Sequence, residues 1–347
     1  ESQVPVQTRL TEALEELGFD VEKTPGRKTG GYLLARPREG HRGKPAQLLL
    51  GHSDTVWKLG TLESMPVVLE GNRIRGPGVF DMKGGLTQIV VALRILRKLK
   101  LEIPADPVVL INSDEEIGSP ESEEAIRRVA QEVVRAFVPE PGMGLEGRLK
   151  TARKGWGRYT LTVSGKAAHA GLDPQGGVSA IQDLSFLIQS LHAMTDLSRG
   201  LTVNVGVISG GTRPNVIAPE AVAEVDVRVM SRSQGEELDR RIRTLSTSVA
   251  GTSLNVEGGL LVPPLERTSR NRALWTSAVA AAKELGLDLQ EDVAGGGSDG
   301  NTTSLYTATL DGIGAVGDGA HAPHEFLFVD KHVERCALLA RLLLLAP

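Results

Sequence analysis

Three acids stand side by side in Ile111–Ser119, "INSDEEIGS", directly after an apolar run. Asp114, Glu115 and Glu116 repel one another, and carboxylates that leave water need a partner. The run is therefore either a solvated turn or the lining of a strongly positive site. Four other segments carry residues of the same chemical kind. "GHSDTV" places His52 two residues before Asp54, a spacing that suits an imidazole ligand steadied by a carboxylate. "GPGVFDMKGG" sets Asp81 between glycine-rich turns, and "PEP" holds Glu140 between prolines. "GAHAPHEF" offers His321 and His324 in one loop. Each segment alone reads equally well as a loop, a helix cap or a charged surface. Together they supply imidazole and carboxylate donors, the set for a divalent cation held without sulfur.

Cys336 is the only cysteine, which excludes an intrachain disulfide and a multi-thiolate metal site. Of the seven histidines, His192 falls in a helical stretch, His41 in a basic loop and His332 at a helix start, so these three read as structural or exposed. A net charge of -4 argues against nucleic acid as the partner, and 40% hydrophobic with 24% charged residues describes a globular chain. The apolar stretch Ala337–Leu345 is short and carries Arg341, so it reads as a terminal core helix rather than a membrane span. No signal peptide is seen, and the chain starts at Glu1 without methionine; the expected location is cytoplasmic.

The elements that must position these residues follow from hydrophobic periodicity. Helices are expected over Val4–Leu17, Gly84–Leu99 and Pro120–Ala136, and strands over Gly31–Ala35, Gln47–Leu50 and Pro107–Asn112. Strands alternating with helices predict an α/β fold, a mixed sheet covered by helices on both faces, with ligands gathered at the carboxyl ends of strands. From about Trp156 the pattern changes to β-α-β-β-α-β, that of a compact α+β sandwich. At 347 residues two domains are expected. The reading is a catalytic domain over residues 1–155 and 267–347, with residues 156–266 inserted as a lid.

The chain resembles the di-zinc metallopeptidase family of glutamate carboxypeptidase, acetylornithine deacetylase and succinyl-diaminopimelate desuccinylase, with most likeness to bacterial glutamate carboxypeptidase. The resemblance rests on nine segments in family order, "GHSDTV", "GPGVFDMKGG", "SDEEIGS", "EP", "GKAAHAG", "GGTRPNVIAP", "DVR", "GGGSDG" and "GAHAPHEF". It implies a zinc-exopeptidase fold with an inserted lid that often serves dimerisation. It implies two Zn2+ ions, with Co2+ or Mn2+ as substitutes, bridged by Asp81 and completed by His52, Glu140, Glu116 and His321; the pairing of ligand with ion stays open. His321 is preferred to His324 on the spacing to "EF". Asp54 would orient His52, Glu115 would be the general base on a bridging water, and His169 of the lid would stabilise the oxyanion.

Asn215, Arg228, Arg148 and Gly297 fall at substrate-facing positions of the family, the arginines suiting a carboxylate. Arg228 could instead pair with Asp226 or Glu224. A cis peptide after Asp81 is implied, and Met82 departs from relatives that carry a second acid there. The expected activity is release of a C-terminal amino acid, with an acidic side chain among the candidates, from a small peptide or N-acyl amino acid. N-acyl amino-acid deacylase and aminoacyl dipeptidase are the alternatives within the class. A non-catalytic metal-holding dimer is the alternative outside it, which Glu115 and His169 argue against. A homodimer through the lid is expected, and neither a membrane nor a nucleic-acid partner.

Overall fold

The computed structural model describes residues 3–40 and 43–347; His41 lies outside the described residues. The chain divides into two compact units. The first comprises residues 1–152, 266–294 and 298–347, and the second residues 153–265 together with Gly295–Gly297.

The first unit is built on an eight-stranded mixed sheet. Its strand order is Phe19–Thr24, Tyr32–Pro37, Asp106–Asn112, Ala46–His52, Arg135–Val138, Ala308–Asp311, Leu149–Arg153 and Glu291–Ala294. The four central strands, from Asp106–Asn112 to Ala308–Asp311, run parallel. Leu48, Leu49 and Leu50 are all fully buried, as a strand covered on both faces requires. On one face the helices Val4–Glu16, Gly84–Leu99, Ser269–Glu284 and Val329–Leu343 form one apolar core with the sheet. Gly84–Leu99 turns Leu86, Ile89, Leu93 and Leu96 inward at helical spacing, each side chain stabilising by about 1.5–3 kcal/mol on burial. On the other face Ala125, Ile126 and Val129 of helix Glu123–Glu132 close a smaller core.

The mixed sheet flanked by helices is as the sequence predicts, and three local readings need correction. Pro120–Ala136 is not one helix: the helix is Glu123–Glu132 and the next residues form the strand Arg135–Val138. That strand is four wholly buried residues, too short for periodicity to separate from a helix end. Phe19–Thr24 is an additional strand where only a helix stop was read. A small second sheet, ordered Gly317–Asp318, Phe326–Phe328, Arg73–Arg75 and Val68–Glu70, also went unread.

The second unit has the order Gly155–Ser164, helix Ala180–His192, Thr202–Gly210, Glu220–Val229, helix Arg232–Arg243 and Ser253–Val262. Its four strands make an antiparallel sheet with alternating burial, and Tyr159, Leu161, Val163, Ala223 and Val225 face the two helices. Thr202–Gly210 lies at one edge of that sheet, with Val207 and Ile208 exposed. Among the described residues no helix is long and apolar enough to cross a membrane.

Candidate metal centre

Each central parallel strand ends in a residue of the cluster or leads into one. Ala46–His52 ends on His52, and Asp106–Asn112 runs into Asp114–Glu116. Arg135–Val138 leads to Glu140 two residues on, and Ala308–Asp311 to the segment that carries His321. Two close approaches need glycine: a Cβ on Gly85 or Gly314 would sit 1.9 or 2.1 Å from the Pro139 carbonyl oxygen beside Glu140. Asp81 follows Gly78, which has φ +73°, and the Asp81–Met82 peptide is cis.

The five residues converge. His52 Nε2 lies 3.3 Å from Asp81 Oδ1 and 3.2 Å from Glu140 Oε1. His321 Nε2 lies 3.5 Å from Asp81 Oδ2 and 3.1 Å from Glu116 Oε2. One oxygen of Asp81 thus faces each imidazole, and each imidazole has its own glutamate. The ligand atoms of His52, Asp81 and Glu116 also fall within 4.8 Å of one another. His324 is exposed; His321 is the histidine that reaches the acids.

The acid run resolves into three different surroundings. Asp114 is buried and accepts from the Glu121 and Ser122 N–H groups and the Ser122 hydroxyl, a loop contact. Glu116 turns to His321, and its own N–H donates to Asp54 Oδ2 at 3.0 Å. Glu115 is largely removed from water and lies in the field of Glu140, His52, Asp299 and Asp81. Asp54 also sits at the far nitrogen of His52, its backbone oxygen 3.1 Å and Oδ1 3.5 Å from Nδ1. One residue therefore steadies both a histidine and a glutamate of the cluster. Met82 packs beneath His52, with no exposure and its sulfur 3.3 Å from the His52 N–H, so a second acid there would be buried.

Whether these residues suit a cation can be read from what is left unpaired. His52 Nε2, Asp81 Oδ1 and Glu116 Oε1 are buried without a hydrogen-bond partner. Native interiors rarely strand three such atoms in one place. The donors are nitrogen and oxygen only, the set for a catalytic zinc or a related divalent ion. Without a cation the charges strain against one another. Burial raises the Glu116 carboxyl, with Asp81 adding to it, to about 7. Burial and the Glu140 charge lift Glu115 well above the ordinary carboxylate range. Asp81, despite burial, is held far below that range by His321 and His52. His52 is buried, which lowers it, yet Asp54, Asp81 and Glu140 hold it well above its ordinary value. Asp81, against burial and with Glu116, pushes His321 up to about 9.

Ligands must be deprotonated to bind metal, and the acids around His52 and His321 favour the protonated form of both imidazoles. Metal uptake at pH 7 should therefore release protons, from the imidazoles and from the partly protonated Glu116, and apparent affinity should rise as pH climbs from 7 through about 9. Calorimetric titration in two buffers of different ionisation enthalpy reads this directly; uptake with no proton release would contradict it.

Comparison with known proteins shows what this chain is similar to. Residues 151–252 match the M20 peptidase dimerisation domain. The whole chain aligns with carboxypeptidase G2 of Pseudomonas sp. strain RS-16, 29% identical over 345 residues, covering 96% of this chain and 82% of the relative. Acetylornithine deacetylase of Myxococcus xanthus is 27% identical over 355 residues, covering 97% and 91%. The chain is thus similar, over nearly its whole length, to metallopeptidases and amidohydrolases of the M20 family. Solved structures agree on the fold: aminopeptidase PepT from Bacillus cereus ATCC 10987 has a TM-score of 0.82 at 21% identity, covering 97% of this chain and 91% of that one. The YXEP protein of Bacillus subtilis, a dinuclear metal-binding M20 peptidase, has 0.69 at 16%, covering 99% and 92%.

The remaining residues of functional interest divide between the units. Arg148, in the first, is partly exposed with Nε 3.3 Å from Asp292. His169, Asn215, Arg228 and Gly297 belong to the second. His169 is exposed, and its Nδ1 accepts from the Gly171 and Leu172 N–H groups at 3.1 Å each. When the ring is neutral its proton must therefore sit on Nε2. Asn215 is exposed in the loop beside it, its carbonyl accepting from Ala170. Arg228 pairs with Asp226 through two bonds of 2.9 and 3.0 Å and lies 5.7 Å over Trp156. The Gly297 carbonyl accepts from Arg153 at 3.0 Å.

Sequence reasoning missed Lys150, Asp299 and Glu325. Lys150 Nζ is 3.9 Å from Glu140 Oε2. Asp299, buried, accepts from Asn112 at 2.8 Å and Ser119 at 2.5 Å, tying "GGGSDG" to the base of the acid loop. The signal for Asp299 was its motif, read only for glycines.

Proposed function

We propose that this M20 hydrolase is a di-zinc carboxypeptidase that releases a C-terminal amino acid from a small peptide or N-acyl amino acid. The observation that carries the reading is the pair of Asp81 oxygens, each facing a different imidazole with its own glutamate. His52 with Glu140 would hold one ion and His321 with Glu116 the other, Asp81 serving both. Such ions supply an acidified water and polarise the scissile carbonyl. Glu115 takes the proton from the attacking water and returns it to the leaving amine, its raised proton affinity suiting both tasks. Asp54 holds His52 and the Glu116 backbone in place.

His169 donates Nε2–H to the developing oxyanion, the tautomer that its Nδ1 contacts select. His169→Ala should lower kcat by roughly 10²–10³-fold while metal content stays at the wild-type level. Parallel losses of turnover and metal would count against the role.

Arg148 and Arg228, with Asn215 and Gly297, are the groups proposed to meet the substrate. Both arginines already have acidic partners, so a substrate carboxylate would have to exchange with Asp292 or Asp226. The second unit is proposed to pair two chains, which its match to a dimerisation domain and the exposed edge strand Thr202–Gly210 support. The acetylornithine deacetylase relative, aligned over 97% of the chain, favours N-acyl amino-acid deacylation as the second reading. Acyl-glutamate, acetyl-ornithine and dipeptide substrates, assayed with metal analysis, separate these. The highest kcat/KM on acyl-glutamate supports the carboxypeptidase, and the highest on acetyl-ornithine the deacylase. No hydrolysis by metal-loaded protein would sink both.

A further inference from the structure

Glu325 is a fully buried acid outside the metal cluster. Its carboxylate collects four N–H groups. Oε1 accepts from the backbone of Phe80 at 2.9 Å and Asp81 at 3.1 Å. Oε2 accepts from the backbone of Gly78 and the indole of Trp57, both at 2.8 Å. Three N–H groups from residues 78–81 thus curl around one internal anion, as backbone nests do around bound anions. The Glu325 backbone adds to the tie, accepting from the Gly76 N–H at 3.2 Å. Glu325 lies four residues after His321, and its N–H returns to the Ala322 carbonyl. The small sheet explains the meeting: Phe326 pairs with Arg75, so the two loops leave adjacent strands.

We propose that Glu325 is the positioning residue of the metal centre, fixing the Asp81 loop and joining it to the loop of His321. It touches no reacting atom; it acts by holding the backbone N–H of Asp81 and so directing that carboxylate between the two imidazoles. Charge-assisted bonds to N–H groups are the strong kind, and four on one buried carboxylate leave the loop a single arrangement. Outer groups that orient ligands typically change metal affinity by 10- to 100-fold. The inference rests on Asp81 being a metal ligand.

Glu325→Gln tests it. The amide keeps the shape but offers one acceptor oxygen, so its NH2 faces two N–H donors. Zinc affinity is measured by competition with a chromophoric chelator, well below the unfolding temperature, and the absorption of the cobalt-loaded protein reports ligand geometry. The expected result is a loss of affinity of about 10- to 100-fold with an altered cobalt spectrum. Asp183→Asn is the control for a merely structural acid, because Asp183 is equally buried and accepts from Ser248 and Thr252 in the second unit. It should bind metal as the wild type does.

Wild-type affinity in Glu325→Gln, or the same loss in Asp183→Asn, overturns the proposal. Where Glu325→Gln is not recovered folded, Trp57→Phe removes one of the four donors: a several-fold loss supports the proposal and an unchanged affinity overturns it. Asp81→Asn in the same assay separates the two failures. Full metal retention there removes the ligand reading and this inference with it, whereas metal loss there with none in Glu325→Gln removes this inference alone.

Discussion

Glu115→Gln should lower kcat by roughly 10²–10⁴-fold with both metal ions still bound. That loss corresponds to about 3–5 kcal/mol of transition-state stabilisation, the share expected of a positioned proton carrier. Glutamine keeps the side chain's shape and removes only its capacity to take and return a proton. The metal should stay because Glu115 is not among the residues whose donor atoms converge on Asp81: His52, Glu140, His321 and Glu116 supply them. Glu115 is instead an acid lifted by burial and by the neighbouring Glu140 charge. Turnover under saturating substrate, with atomic spectroscopy for metal, reads the two effects apart.

Asp81→Asn should fail differently, losing metal and hydrolysis together. The asparagine side chain has one oxygen where the aspartate has two, and no charge. Each of the present oxygens faces one imidazole, so the amide can serve at most one side. Removing the shared negative charge also leaves Glu116 and Glu140 to offset two cations alone. Groups that only orient ligands are worth about 10- to 100-fold in affinity, so a shared ligand should exceed the upper figure. Dialysis followed by metal analysis checks the outcome; two ions retained would remove Asp81 from the role.

Much of this was legible because the chemistry sits where chain pattern and residue type coincide. The apolar runs before His52, Asp114 and Glu140 end at polar residues, and parallel strands gather those ends along one edge. The α/β reading of the first unit and the β-α-β-β-α-β order of the second follow from period alone. Which imidazole faces which glutamate was not legible, since it depends on how neighbouring strands stand in register, His52 opposite Asn112. The Asp226–Arg228 pair was open for a simpler reason: residues two apart share one face of a strand, and sequence cannot say whether they meet. The strand before Glu140 and the small sheet were too short to show a period. With that sheet unread, Glu325 had no visible partners, although it stands in the same loop as His321.

The central claim is that five side chains hold the metal while a sixth moves the proton. Metal content and hydrolysis measured together on the wild-type, Glu115→Gln and Asp81→Asn proteins test it most directly. The account predicts two ions without hydrolysis for Glu115→Gln, and neither ions nor hydrolysis for Asp81→Asn. Near-wild-type hydrolysis in Glu115→Gln, or two bound ions in Asp81→Asn, would contradict it.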